Sequence, residues 1–370
     1  MREVLVIAGE ASGDLHGAGL VHALKRARPD VRFAGMGGPR MREAGVEIIE
    51  DAERLAVMGF VEVLTKIPHH YRLLGQLDRR LASGAVGLLV TIDYPGFNMK
   101  VAAAARRHGV PVLYYITPQV WAWGAGRLPK LARLITKAAT ILPFEAALLV
   151  RHGIDATFVG HPLLDGASHL PSREEARHVL GLPPDVPVLA LFPGSRQQEI
   201  HRHIATFVAT AQELQRQRPA LRVLVSVAST VRLDPAQCPY PMVSNASFTV
   251  LRASTAVLSK SGTTTLEAAV AACPLIVAYR TSAWTYAIAK RAITIPHIGL
   301  VNVVAGREVA PEFVQAAMRP AAMAAALAPL LETDSPARSR MLEGLAEVRS
   351  RLGTPGAAER TAAIAAEMIR

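Results

Sequence analysis

Val-Leu-Ala-Leu-Phe-Pro-Gly-Ser-Arg-Gln-Gln-Glu-Ile, residues 188–200, joins an apolar run to a small-residue turn and a polar segment. Ala-Val-Leu-Ser-Lys-Ser-Gly-Thr-Thr-Thr-Leu-Glu, residues 256–267, repeats that pattern further along the chain. Each predicts a buried parallel strand whose end turns directly into a helix. Helix N-termini attract anions, so the two turns together favour a phosphorylated ligand at the carboxyl ends of parallel strands.

The residue types in these turns suit a nucleotide-like ligand. Glycine lets the backbone approach an anion closely, and Arg196 adds a cation with fork geometry. Glu267 falls about one turn into its helix, where a carboxylate could bind a ribose diol. No lysine follows the glycines in Walker spacing, so the pattern is not a P-loop. Each turn alone also fits an ordinary strand–helix connection. The predicted residues of this site, which would hold the donor nucleotide of a group-transfer reaction, are Gly194, Ser195, Arg196, Ser261, Gly262, Thr263 and Glu267.

Strand and helix patterns alternate along the whole chain. Apolar runs predict strands at 4–8, 31–35, 86–92, 110–116, 139–142, 156–159, 188–192, 221–227, 256–259 and 275–279. The predicted fold class is α/β, with two Rossmann-like domains facing a cleft and C-terminal helices packing back on the first domain. The expected boundaries are 1–165 for the acceptor-side domain, 166–340 for the donor-binding domain and 341–370 for the returning helices.

Composition limits the class of protein and its partners. The chain has 370 residues, is 51% hydrophobic and carries a formal net charge of +11. The N-terminal apolar run is too short for a signal peptide, and no window is apolar enough to span a membrane. Cys238 and Cys273 lack metal-ligand spacing and fit a reducing cytosol. Nucleic acid, anionic lipid, an anionic substrate or simple arginine enrichment could each explain the charge.

The loop after the first predicted strand, residues 8–19, is rich in glycine but does not match the dinucleotide fingerprint. Glu10 and Asp14 would repel a pyrophosphate placed there. Carboxylates and Ser12 at a strand end suit the hydroxyl groups of a sugar acceptor better.

Asp93 ends the apolar run at 86–92 and is the candidate general base, since an attacking hydroxyl needs a carboxylate or imidazole within hydrogen-bond reach. The alternative is a helix cap or Asx turn ahead of Pro95. Asn98 is a candidate cap for a helix at 99–108. The chain has no Asp-x-Asp pair for a phosphate-bridging metal, so leaving-group charge is expected to fall on Arg196 and the turn at 261–263.

These motifs together resemble the lipid-A-disaccharide synthases, family-19 glycosyltransferases of the GT-B fold. The resemblance runs nearly end to end. It rests on the segments at 8–14, 38–41, 55–59, 92–93, 118–123, 142–145, 160–162, 193–196, 261–267 and 302–307. Gly96 departs from the aspartate that the family often has at this position, and the loop after Trp123 lacks the usual basic residue.

The resemblance implies an inverting, metal-independent transfer in lipid A biosynthesis, without a cofactor. UDP-2,3-diacylglucosamine would react with 2,3-diacylglucosamine 1-phosphate (lipid X), giving a β-1,6 disaccharide 1-phosphate and UDP. Asp93 would be the catalytic base, with Glu10 the second candidate, and Asn302 would join the donor site. The acceptor would contact Ser12, Asp14, Asn98, Trp121 and Trp123. The alternatives are another UDP-N-acetylglucosamine enzyme of this fold, such as a 2-epimerase or a peptidoglycan-precursor glycosyltransferase, and a basic nucleic-acid-binding protein.

Diacylated substrates also imply work at a membrane surface. Residues 56–81 mix apolar and basic side chains, as an interfacial helix does, although a core-facing helix fits the same pattern. The predicted membrane contacts are Phe60, Lys66, Arg72, Arg79 and Arg80. We therefore expect a cytoplasmic protein bound peripherally to the inner face of the cytoplasmic membrane, without a nucleic-acid partner.

Overall fold

The computed structural model describes residues 2–52, 60–123, 125–292 and 295–369. The chain divides into two compact units. The first comprises residues 1–165 and 353–370, and the second comprises residues 166–352. Each unit is built on one wholly parallel sheet, which confirms the predicted α/β class.

The sheet of the first unit has seven strands in the order β3-β2-β1-β4-β5-β6-β7. The order reverses between β1 and β4, so the ends of these two strands form a topological switch point, where open α/β sheets bind ligands. The strands are β1 (Arg2–Ala8), β2 (Val31–Gly37), β3 (Glu47–Asp51), β4 (Val86–Ile92), β5 (Val112–Tyr115), β6 (Lys137–Thr140) and β7 (Asp155–Phe158).

Helices cover both faces of this sheet. Successive side chains of a strand point to opposite faces, so Leu5 and Ile7 join one core cluster while Val4 and Val6 join the other. The helices of this part are α1 (Ala11–Ala27), α2 (Pro39–Glu43), α3 (Phe60–Ala82), α4 (Pro95–Arg107), α5 (Val120–Trp123), α6 (Leu128–Leu134) and α7 (Glu145–Arg151).

The sheet of the second unit has six strands in the order β10-β9-β8-β11-β12-β13, with the reversal between β8 and β11. The strands are β8 (Val188–Phe192), β9 (Arg222–Val227), β10 (Met242–Ser244), β11 (Ala256–Lys260), β12 (Leu275–Tyr279) and β13 (Glu312–Val314). Its helices are α8 (Arg173–Val179), α9 (Gln197–Gln217), α10 (Ser247–Ala253), α11 (Thr264–Val270), α12 (Ala283–Ala292), α13 (Leu300–Ala305), α14 (Pro320–Leu327) and α15 (Pro336–Arg351).

The chain then returns to the first unit through α16 (Ala357–Met368), which packs on α1. The Asp165 carboxylate accepts hydrogen bonds from the N–H groups of Gly356 and Ala357, at 2.7 and 3.2 Å, and so caps α16 from a distant part of the sequence. The returning segment is 353–370 rather than the expected 341–370, because α15 lies in the second unit. In the described part of the chain, no helix is long and apolar enough to cross a membrane.

Candidate functional site

The two small-residue turns of the second unit lie at its switch point. Residues 193–196 follow β8 and residues 261–263 follow β11, and these strands are direct neighbours, with Phe192 paired to Ser259. Because the carboxyl ends of parallel strands share one edge of a sheet, the turns come together as the sequence predicts.

Glu199, however, already occupies the first turn. Its Oε2 accepts hydrogen bonds from the N–H groups of Ser195 and Arg196, at 3.0 and 3.3 Å, and its Oε1 lies 2.9 Å from the Lys260 ammonium. Gly194 has a φ of 139°, and a Cβ there would meet Glu199 Cβ at 2.6 Å. The glycine is therefore required by Glu199. The N–H groups of Ser195 and Arg196, which the sequence predicts to be open to a phosphate, are already bound by this carboxylate.

The Glu199 carboxylate is ionised and anchored. Burial alone would raise its pKa, but the Lys260 ammonium and the Ser195 N–H outweigh burial and hold the pKa below its usual value. His203, one turn further along α9, ties this helix to the end of β12. Its Nδ1 donates to the Glu199 carbonyl at 2.7 Å, and its Nε2 accepts from the Arg280 N–H at 2.9 Å. Burial lowers the pKa of His203, so it is neutral.

The other predicted donor residues differ in accessibility. The Arg196 side chain is 69% exposed, with Nη1 3.9 Å from Glu199 Oε1. Thr263 is exposed, whereas Ser261 Oγ donates to the Ile298 carbonyl at 2.7 Å. Glu267 accepts a hydrogen bond from Ser247 Oγ, and burial raises its pKa. Ser195, Arg196 and Thr263 are thus the exposed residues among those predicted to bind the donor.

Asn302 is a structural residue. It is fully buried, and its Nδ2 donates to the Ala310 carbonyl and to Glu312 Oε1, at 2.7 and 2.8 Å. Its Oδ1 accepts from the N–H groups of Val309 and Ala310. All four hydrogen-bonding positions of the amide are filled, which leaves none for the predicted contact between this side chain and the UDP-sugar donor.

Asp93 and Tyr94 lie at the switch point of the first unit and adopt a strained backbone. Their φ angles are 44° and 45°, in the left-handed region that non-glycine residues rarely enter. The Asp93 N–H donates to the carbonyls of Tyr115 and Ile116, while its own carbonyl accepts from Asn98 Nδ2 and Tyr114 Oη, each at 2.7 Å. Such strain persists only where the surroundings fix it, and it concentrates at functional sites.

Two residues that were predicted to contact the acceptor sugar are buried and bind the protein backbone instead. Asn98 is fully buried inside α4, which begins at Pro95, so it neither caps a helix at 99–108 nor reaches an acceptor. The Asp14 carboxylate accepts from the N–H groups of Gly38, Arg40 and Met41 at the start of α2. Glu10 and Ser12 are exposed at the start of α1, beside the end of β1.

Glu145 is a residue of this region to which the sequence assigned no role. It is buried at the start of α7, accepts from Trp121 Nε1 at 3.0 Å, and accepts from the Leu142 N–H at 3.1 Å. Burial raises its pKa to about 7, against these hydrogen bonds, and the nearby Asp93 charge adds to the rise. Trp121 is thus anchored by Glu145 and by an edge-on contact with Phe144. The Trp123 side chain lies outside the described residues.

The residues that were predicted to contact the membrane fall into an exposed group and a group bound to the protein itself. Arg72 and Arg79 are exposed on α3, as is Tyr71, which is 61% exposed. Arg80 instead binds the buried Glu3 carboxylate through two hydrogen bonds of 2.7 Å and also binds Glu47. Arg80 is therefore a structural ion-pair residue. This corrects the prediction that it contacts the membrane, because its guanidinium is already bound to two carboxylates. The side chains of Phe60 and Lys66, and all of residues 53–59, lie outside the described part.

No group of three or more potential metal-binding His, Cys, Asp or Glu side chains occurs within residues 2–52, 60–123, 125–292 and 295–369.

A family model described as lipid-A-disaccharide synthetase matches residues 4–366. A lipid-A-disaccharide synthase of Geobacter sulfurreducens is 41% identical over 374 residues, covering 99% of this chain and 97% of the relative. One from Myxococcus xanthus is 39% identical over 373 residues, covering 99% and 97%.

Solved structures show the same fold at low sequence identity. A Neisseria meningitidis UDP-GlcNAc 2-epimerase, bound to UDP-GlcNAc, aligns with a TM-score of 0.67 and 12% identity, covering 99% of this chain and 100% of that one. The glycotransferase of kitacinnamycin aligns with a TM-score of 0.64 and 14% identity, covering 100% and 99%. These likenesses concern the GT-B fold alone.

Proposed function

The chain belongs to the lipid-A-disaccharide synthase family of GT-B glycosyltransferases, and from that premise we propose that it joins UDP-2,3-diacylglucosamine to 2,3-diacylglucosamine 1-phosphate. The products are the β-1,6-linked disaccharide 1-phosphate and UDP, and the anomeric centre inverts. The proposal rests on one observation: family motifs lie at both switch points of a chain that matches the family over residues 4–366.

In this proposal the second unit binds the donor. The diphosphate binds at the turns after β8 and β11, where Ser195, Arg196 and Thr263 are the predicted donor residues with exposed side chains. Cationic and N–H donors aimed at the leaving UDP stabilise the charge that develops on its phosphate oxygen. Glu267 is half-buried beside Ser247 and contributes to the ribose side of the site.

The first unit binds the acceptor and carries the base. Asp93 removes the proton from the acceptor 6-hydroxyl as that oxygen attacks the anomeric carbon, and the bond to UDP breaks on the opposite face. A single displacement of this kind inverts the anomeric centre. Glu10 and Ser12 are exposed near the end of the neighbouring strand, and in this proposal they bind acceptor hydroxyls.

An assay of the full chain tests the proposal directly. The protein is incubated with UDP-2,3-diacylglucosamine and 2,3-diacylglucosamine 1-phosphate in detergent micelles, and disaccharide and UDP are measured by mass spectrometry. UDP-N-acetylglucosamine without acyl chains, alone and with the same acceptor, tests the other enzymes of this fold. Epimerisation or transfer of the unacylated sugar, with no diacylated disaccharide, would replace the proposal. The near-full-length match at about 40% identity favours the lipid substrates.

Activity is expected to survive EDTA, because the proposed charge stabilisation uses Arg196 and the backbone N–H groups of the turn after β11. The measurement compares initial rates before and after chelation, and after magnesium is restored. Rates within about twofold fit the proposal, since losing a metal that stabilises transition-state charge would cost several kcal/mol. A large loss that magnesium reverses would transfer this role to a metal.

We also propose peripheral binding to anionic membranes on the cytoplasmic side. Each basic residue near an anionic surface contributes about 1 kcal/mol, so changing both Arg72 and Arg79 to glutamate should weaken binding to phosphatidylglycerol vesicles by about 10-fold or more. Binding of the unmodified chain should also fall as salt rises. Sedimentation with anionic and neutral vesicles measures both effects.

The matched control changes Arg340 and Arg349 to glutamate. Both are exposed on α15 of the second unit, so the net charge changes equally. Arg80 is left intact because its reversal would break the pairs with Glu3 and Glu47. Equal losses in the two double variants would show a general charge effect and no special role for α3.

A further inference from the structure

Glu199 stands where an anionic ligand is expected. In the first turn of the second unit, its carboxylate takes the N–H groups of Ser195 and Arg196 and the Lys260 ammonium. These are the donor types that hold a phosphate at the end of a parallel strand. The turn is therefore filled by a carboxylate of the chain itself.

The Glu199–Lys260 pair is well shielded from water. The side chains are 11% and 17% exposed, and Lys260 Nζ also lies 5.9 Å from the centre of the Tyr279 ring. A shielded ion pair is often no more stabilising than apolar residues of similar volume, because both charges lose hydration. Its position between the two turns of the switch point therefore suggests a role in ligand binding.

We propose that Glu199 is an internal stand-in for a donor phosphate, and that the incoming diphosphate takes Lys260 from it. This inference rests on the proposed function, which supplies the UDP group. Without donor, Glu199 neutralises Lys260 and keeps residues 193–196 in their binding conformation. When the diphosphate binds, the ammonium turns from the carboxylate to a phosphate oxygen, while Glu199 keeps the N–H groups of its turn.

The exchange is local. Lys260 ends β11 and directly precedes Ser261, so a change in its side-chain torsions redirects the ammonium without moving the strand. The backbone of Glu199 is fixed by hydrogen bonds, because its carbonyl accepts from His203 and His203 in turn accepts from the Arg280 N–H. Glu199 is thus a positioning residue and Lys260 is the group that moves to the ligand.

Calorimetric titration with UDP tests the exchange on the full chain. Glu199→Gln keeps an oxygen acceptor for the N–H groups but removes the competing charge. We expect UDP to bind about 5–10-fold more tightly, which corresponds to the loss of one screened like-charge contact of about 1 kcal/mol. The matched control is Glu213→Gln, on the same helix and paired with Arg216, which should leave UDP affinity unchanged.

Unchanged or weaker UDP binding in folded Glu199→Gln would overturn the proposal. If that variant does not fold, Lys260→Gln decides: UDP affinity should fall about 10-fold or more, and unchanged affinity would overturn the exchange. The unmodified chain is titrated first. Failure of the unmodified chain to bind UDP would contradict the proposed function itself, whereas UDP binding with unaltered variants would contradict only the stand-in role.

Discussion

Asp93→Asn is expected to lower turnover by about 10²–10⁴-fold, the usual contribution of a general base. The acceptor hydroxyl is a weak acid and must lose its proton as it attacks, and an amide cannot take that proton. The fold should survive, because asparagine also tolerates the left-handed backbone at this position. The backbone hydrogen bonds to Asn98 and Tyr114 do not involve the side chain of residue 93. UDP affinity should also stay nearly unchanged. Steady-state rates, the melting temperature and UDP titration measure these three parts of the prediction.

Asp78→Asn is the matched control. Asp78 is a partly exposed aspartate of the same unit, paired with Arg107 and His108, and its replacement should leave turnover unchanged. If Asp93→Asn lowers the melting temperature by several degrees but keeps turnover per folded molecule, Asp93 is a turn residue. Glu10, at the end of the neighbouring strand, would then be the leading candidate for the base.

The switch points could be predicted because their signals are local. An apolar run, a glycine and a polar residue within a dozen positions mark a buried strand and the turn after it. The residues 86–92 and 188–192 coincide with β4 and β8 for this reason. The edge strands β3, β10 and β13 escaped prediction because they are short and only partly buried, so their sequences lack a continuous apolar run.

The partners of buried polar side chains could not be predicted in the same way. Asp14 binds backbone N–H groups more than twenty residues away, and Asn302 satisfies a loop that the sequence does not mark. A polar residue next to a predicted site looks the same in sequence whether it binds a ligand or a loop. Burial distinguishes the two roles, and burial depends on the whole fold.

The partners of the Glu199 carboxylate could not be predicted from sequence either. Its place four residues after Ser195 fits a helix start equally well whether the carboxylate points to solvent or back into the turn. Lys260, on a neighbouring strand, and the N–H groups of Ser195 and Arg196 together hold the carboxylate inward. The meeting of the two turns at one edge of the sheet could therefore be predicted from sequence, whereas the carboxylate that fills the first turn could not.

Arg196→Ala is expected to weaken donor use by about 1.5–3 kcal/mol, the contribution of a hydrogen bond to a charged group, which is roughly 10–150-fold in kcat/KM for the donor. The Arg196 side chain is 69% exposed, so water screens its charge interactions, among them the pair with Glu199 at 3.9 Å. Its removal should therefore cost little stability. Rates at low and saturating donor, with the melting temperature, separate the two effects.

The control for Arg196 is Arg216→Ala, at the other end of α9. Arg216 is 73% exposed and pairs with Glu213 three residues away, so it matches Arg196 in residue type, helix and exposure but not in position. If both variants keep full activity at low donor concentration, the positive charge at the first turn does not contact the donor. If only Arg196→Ala loses donor affinity and both keep their melting temperatures, the exposed guanidinium binds the diphosphate from the solvent side. Lys260 would then be the cation that reaches the diphosphate from within the fold. If the loss of binding free energy in the double variant Arg196→Ala with Lys260→Gln equals the sum of the two single losses, the two cations bind the diphosphate independently.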